Sequence, residues 1–147
     1  MKQWGLAICN PVKEIPIKKG KSLKVYLELN KVESSSKLYE SGKLSSREQN
    51  VLQYFLFACY TGLRFGDVEQ FNTDMIVYNK ISIVAEKTNV TVLIPVIEQA
   101  KELLLYSNKQ FRVIRNQKSN DSLKIIMDKA KIKKNVSFHC ARHTFAQ

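Results

Sequence analysis

The chain is short of cysteine, of long apolar runs and of acid, and each shortage excludes something. Its three cysteines, Cys9, Cys59 and Cys140, are odd in number and widely spaced. That pattern gives neither a disulfide framework nor a zinc-ligand spacing, and reduced thiols in a cytosolic protein are expected. No uninterrupted apolar stretch approaches the roughly 20 residues a bilayer-spanning helix needs, so no membrane span is expected. The opening Met1-Lys2-Gln3-Trp4 lacks the apolar core and small-residue cleavage site of a secretory leader, which places the expected location in the cytoplasm. Acidic residues number 13 against 24 lysines and arginines, a net charge of +11 on 147 residues. A field of that sign and size attracts polyanions, and its scatter along the chain argues against a polybasic membrane patch. No carboxylate cluster suited to magnesium stands out, so neither a metal nor another cofactor is expected. Internal repeats and low-complexity tracts are absent as well.

What is present reads as one domain. Hydrophobic residues make up 44% of the chain, enough for a core. Residues 1–20, with Pro11, Pro16 and the basic Lys18-Lys19-Gly20-Lys21, read as a linker or the end of an upstream unit, and 21–147 as the domain proper. Asn30 followed by Glu33, with Gly42 as a stop, predicts a helix over 31–41. Ser45 and Glu48 form a capping box before Val51, Leu52, Phe55, Leu56 and Cys59, which share one face of a helix ending near Tyr60. A short helix over Phe65 to Phe71 follows. The period then changes to two. Ile81, Ile83 and Ala85, then Val90, Val92 and Ile94, alternate as two strands of a hairpin turning at Lys87-Thr88-Asn89. Helical spacing returns over 97–105. The polar Ser119–Ser122 stretch is expected to cap a helix over 121–131, and a last helix starts near Phe138 or His139. The fold class is mainly α with a small antiparallel hairpin or sheet, an α+β arrangement.

Four features carry chemistry. Arg64 follows the helix-terminating Thr61-Gly62-Leu63, and Lys87 sits at the hairpin tip. His139 and Arg142 stand three apart, so both project from one helical face, and His143 follows at once. Taken singly, each has an ordinary reading as a surface ion pair, a solvated lysine or a structural histidine.

Taken together they resemble the tyrosine recombinases, the phage-integrase-type enzymes that cut and rejoin DNA. FLFACYTGLRFGDVEQF is similar to that family's first box, with Arg64 in the arginine's place. SFHCARHTFAQ is similar to the second box, His-x-x-Arg-His-Thr-Phe-Ala, with His139 and Arg142 in the catalytic places. Between them KISIVAEKTNVTVLIPV resembles the family's lysine-bearing hairpin. The resemblance covers residues 10–147, and its wording is similar to integrases of Bacteroides-like mobile elements. It implies attack of a tyrosine on a DNA phosphodiester, giving a 3′-phosphotyrosine link and a free 5′-hydroxyl. Arg64 and Arg142 would clamp the phosphate through planar forks that stay charged at any useful pH. Lys87 would protonate the leaving oxygen, and His139 would bond the phosphate or help take the nucleophile's proton. Asp67 matches an acidic family position and would orient a catalytic cation, although compensation of a helix N-terminus accounts for it too. His143 belongs to the second box. Lys43, Arg47, Lys80, Arg112, Arg115 and Lys118 are candidate DNA-backbone contacts. The implied partner is double-stranded DNA, held by a homotetramer in the full-length protein.

The sequence departs from the family after Arg142, where only five residues follow. The family places a His or Trp and then its nucleophilic tyrosine beyond that point. The six tyrosines here, Tyr26, Tyr39, Tyr54, Tyr60, Tyr78 and Tyr106, all precede the second box. The expectation is a C-terminally truncated catalytic domain that is inactive alone. The alternative is a non-catalytic DNA-binding protein that regulates recombination sites; relaxation of the type IB topoisomerase kind fits the boxes less well.

Overall fold

The computed structural model describes residues 24–105, 107 and 109–146, so the expected linker over 1–20, Cys9 and Tyr106 lie outside the described residues. Helix α1 spans Leu29–Glu40, α2 Ser46–Thr61, α3 Phe65–Gln70, α4 Glu98–Leu104, α5 Asn116–Lys129 and α6 Cys140–Phe145. A 3-10 turn at Thr73–Met75 leads into strands β1 (Ile76–Val77), β2 (Lys80–Val84) and β3 (Thr91–Pro95). The strands form one antiparallel sheet in the order β1-β2-β3. Among the described residues no helix is long and apolar enough to cross a membrane.

Helix α2 is the centre, with α1, α4, α5 and α6 packed around it. Its capping box forms as the sequence implies, since Ser45 Oγ accepts from Glu48 N–H and Glu48 answers on Ser45 N–H. Residues Val51 to Cys59 are all buried, so the helix is covered all round rather than on one face. Its aromatic residues anchor the core. Tyr54 packs on Phe111 and Phe138, Phe55 on Phe138, and Phe57 on Phe71 and Phe111. Aromatic pairs of this kind add roughly 0.5–1.5 kcal/mol per pair to the burial itself. The sheet joins the core through Ile81, Ile83 and Ile94. Ile81 faces Ile94 and Ile83 faces Val92 across the ladder, while Leu93 points outward.

Three local expectations are corrected. Helix α1 begins at Leu29 rather than 31, and its N-cap Glu28 makes no side-chain cap, so Asn30 is inside the first turn and not a cap. Helix α5 begins at Asn116, five residues before the expected start. Ser119 and Ser122 are buried within it instead of capping it. Ser119 Oγ shares a 2.7 Å bond with Tyr54 Oη and bonds back to the Arg115 carbonyl at 3.2 Å, so its polarity is met inside the protein. The hairpin also gains a third strand. Tyr78 and Asn79, with φ of 50° and 65°, make the two-residue turn that pairs Val77 with Lys80.

Candidate active site

The site is built where α2 ends. Gly62 takes φ 75°, and its N–H donates to the Ala58 carbonyl at 2.8 Å. A Cβ there would lie 2.5 Å from the Phe145 ring. Both the left-handed backbone and the close ring therefore require glycine. The turn buries Leu63 and sets Arg64 at the start of α3.

Asp67, 3% exposed, lies in the first turn of α3. Its Oδ2 accepts from the Arg64 backbone N–H at 3.4 Å, and its Oδ1 accepts from the Glu86 N–H at 3.0 Å. One buried carboxylate thus joins the backbone that carries Arg64 to the foot of the turn that carries Lys87. The Glu86 carboxylate in turn rests on Gly66, which has no side chain to hold it off. The turn is closed by Asn89 N–H on the Ala85 carbonyl at 2.8 Å, with Asn89 at φ 54°. It leaves Lys87 exposed at the tip.

The third component is the entrance to α6. Phe138 is buried, and its ring meets Phe65, the neighbour of Arg64, edge-on at 5.2 Å and 86°. Its N–H donates to Asn120 Oδ1 of α5 at 2.7 Å. His139 and Arg142 follow one turn apart, and the His139 ring stands perpendicular to that of His143 at 4.8 Å.

Arg64, Lys87, His139 and Arg142 come from three separate stretches of chain and line one cleft of about 340 Å³, with Phe65, Phe138, Gly66 and Asn116. A second, mostly apolar groove of about 470 Å³ shares Arg64 and Arg142 as its wall. Charge is crowded here. Partial burial, then the nearby His143, Arg142, Arg64 and Lys87, push the His139 imidazole below its ordinary 6.5. Burial, then Arg64, lower the Arg142 guanidinium, while Asp67 acts in the opposite sense. Among the described residues the ion pairs are Lys101–Glu98, Lys109–Asp74, Lys129–Glu48 and Lys134–Glu28. None involves Arg64, Lys87, His139 or Arg142. Like charges held together without a direct ion pair repel one another, and a bound anion would relieve that repulsion. Among the described residues no group of three or more His, Cys, Asp or Glu could hold a metal ion.

The six candidate backbone contacts are spread more widely. Arg115 occupies the N-cap position of α5, without a side-chain cap, directly before the cleft residue Asn116, and Lys118 is exposed in the first turn of that helix. Lys80 starts β2, at the far end of the hairpin from Lys87. Arg47 and Arg112 line a separate open groove of about 650 Å³ at the N-terminal end of α2, where Lys43 is also exposed. Sequence reasoning missed Asn116 and Asn120. Their spacing of four on one helix face was the available signal, hidden by reading that stretch as a cap.

The described backbone matches lambda integrase, solved as a dimer bound to a COC′ core site, with a TM-score of 0.63 over 92% of this chain and 55% of that one, at 17% identity. The fold is that of the site-specific recombinases. XerH, solved bound to its difH substrate, matches with a TM-score of 0.61 and 15% identity over 82% of this chain and 41% of that one. XerA matches with a TM-score of 0.58 and 18% identity over 83% and 49%. The chain therefore spans about half the length of these recombinases. No protein-family model matches the sequence, and no curated protein matches it.

Proposed function

We propose that this chain is the phosphate-activating part of a tyrosine-recombinase catalytic domain, occupying residues 21–147 and acting on double-stranded DNA in site-specific recombination or integration. The observation that carries the reading is the convergence of Arg64, Lys87, His139 and Arg142 on one cleft, free of ion pairs, in a recombinase fold. Arg64 and Arg142 bind the non-bridging oxygens of the scissile phosphate and stabilise the charge that redistributes in the transition state. As a tyrosine oxygen bonds to phosphorus, the bond from phosphorus to the 5′-oxygen breaks, and the Lys87 ammonium gives that oxygen a proton. The depressed His139 is neutral near pH 7, so it can accept a proton or donate its remaining N–H to the phosphate. Asp67 orients the site through the backbones of Arg64 and Glu86.

The nucleophile lies outside this set of residues. Among the described tyrosines none lines the cleft. Tyr54 is buried against Ser119, and burial raises the phenols of both Tyr54 and Tyr60. On this reading the 147 residues alone are expected to bind duplex DNA without cleaving it; the alternative is a non-catalytic DNA-binding protein that regulates recombination sites. The basic charge and the sequence boxes fit a cytoplasmic, nucleoid-associated protein of a mobile element that needs no metal or cofactor. A tetrameric full-length assembly is consistent with the lambda integrase tetramer solved on a Holliday junction.

The test is a salt titration of duplex affinity together with a denaturing-gel assay for covalent protein–DNA adducts. The expected log–log slope is steep, about −0.9 per phosphate neutralised, with no adduct. A flat slope would overturn every DNA-based reading. An adduct formed by these 147 residues would overturn the assignment of the nucleophile to a position outside them.

A further inference from the structure

We propose that Asn120, far from the sequence boxes, is a positioning residue that sets His139 in the cleft. Helix α6 begins with His139 as a non-capping N-cap in helical conformation, so its first backbone donors receive nothing from its own side chains. The Cys140, Ala141 and Arg142 N–H groups turn back on the Ser137, Phe138 and His139 carbonyls, and the Ser137 N–H finds Cys140 Sγ. The Phe138 N–H alone is met from another element, by Asn120 Oδ1 at 2.7 Å across 18 residues of chain. That donor belongs to a buried residue, and a buried N–H without an acceptor is strongly unfavourable. The bond therefore fixes the peptide immediately before His139.

The same helix face reaches the cleft directly. Asn116, one turn before Asn120, lines the cleft beside His139, Lys87 and Arg142. Helix α5 is itself held on α2 by buried Leu123, Ile126 and Met127 and by the Ser119–Tyr54 bond. Asn120 thus references His139 to a rigid helix rather than to the irregular 130–137 segment that precedes it. The groups that face the histidine are His143 and Arg142 on its own helix, Arg64 on α3 and Lys87 on the hairpin. Its environment depends on staying among them. Release of the Phe138 peptide would let the ring move away from these groups and into water.

The inference rests on the proposed DNA reading only for its affinity readout; the histidine titration is independent of DNA. The experiment follows the His139 ring by NMR across pH in the full chain, with Phe138 amide exchange and duplex affinity alongside. Asn120→Ala is expected to raise the His139 pKa toward the ordinary imidazole value, to speed Phe138 exchange at least tenfold and to weaken duplex binding about three- to tenfold. Ile126→Val, which trims the buried face of the same helix, is expected to lower Tm while leaving the His139 pKa in place. Asn120→Asp keeps an acceptor oxygen at the same reach and is expected to keep the Phe138 amide protected, so it decides the matter if Asn120→Ala does not fold. An unchanged His139 pKa in Asn120→Ala, an equal change in Ile126→Val, or a freely exchanging Phe138 amide in Asn120→Asp would each overturn the proposal. A histidine that responds as expected with duplex affinity unchanged would uphold the positioning role and count against the DNA reading instead.

Discussion

The two ends of α2 treat charge in opposite ways. At its N-terminus, Glu48 closes the capping box and meets Lys129 of α5 at 2.7 Å, with its side chain only 12% exposed. The charges there cancel, and their effect is to fasten two helices. At its C-terminus, Arg64, Lys87, His139 and Arg142 crowd one cleft, and the buried carboxylate nearby, Asp67, gives its oxygens to the backbone N–H groups of Arg64 and Glu86 and to the Gln70 amide. A carboxylate placed to neutralise those cations would fill the place of a phosphate. Placed on the backbone, it holds the cations in position and leaves their outward faces open. Compensated charge stabilises; uncompensated charge, kept in place by neutral contacts, is available for a ligand.

The comparison breaks most sharply under substitution of the cleft arginines. Arg142→Ala or Arg64→Ala is expected to cost about 2 kcal/mol of duplex binding, roughly 30-fold, from the loss of charge-assisted bonds to phosphate. Thermal stability should hold or rise slightly, because a repelling charge leaves. Fluorescence anisotropy with a labelled duplex, paired with melting curves, checks both signs. An arginine whose removal destabilised the fold without changing affinity would belong with Lys129 rather than with the cleft. Asp67→Ala is expected to show the reverse order of effects. It leaves the part-buried N–H groups of Arg64 and Glu86 without their carboxylate acceptor, and stability should fall by about 1–2 kcal/mol in urea unfolding. Duplex affinity should fall because Arg64 and Lys87 lose their shared anchor, even though the net charge becomes more positive. Stronger binding in that variant would mean that Asp67 acts as a counter-ion after all.

Much of this arrangement is legible in the sequence, and the parts that are not have physical causes. The Ser45–Glu48 capping box, the Gly62 stop and the period-two run from Ile81 to Ile94 are local signals, written within a few residues of where they act. They sufficed to draw α2, the hairpin and the turn that presents Arg64. The third strand was missed because Tyr78-Asn79 turns at positive φ without a glycine, which the usual hairpin signature requires. The early start of α5 was missed because Ser119 looks like a cap until Tyr54, 65 residues away, is known to share its hydroxyl. Asn120 is harder still. Its importance lies in one long-range bond to a backbone N–H, and the spacing of four from Asn116 marks a helix face without naming that partner. The cleft residues were readable because their chemical types are unusual in combination; the residues that hold them are ordinary in type and become informative only in space.

The smallest expected effect lies at the compensated end. Lys129→Met removes the partner of Glu48 and should cost about 0.5–1 kcal/mol near neutral pH, since exposed pairs contribute little and Lys129 remains partly in solvent. Duplex affinity should be unaltered apart from the general effect of one lost charge. The pH dependence separates this pair from a packing effect. The Lys129 hydrogen bond is the largest cause of a Glu48 carboxyl held below its ordinary 4.5, with the Ser45 backbone N–H adding to it against some desolvation. A depressed carboxylate binds its proton more readily in the unfolded chain, so its stabilisation is complete above the ordinary value and is lost as pH falls through the folded one. The parent and Lys129→Met should therefore differ in urea midpoint at pH 7 and converge as pH falls through the depressed carboxyl's range. A difference that persisted unchanged into acid would assign the loss to the lysine's aliphatic packing and leave the two ends of α2 less opposed than their charges imply.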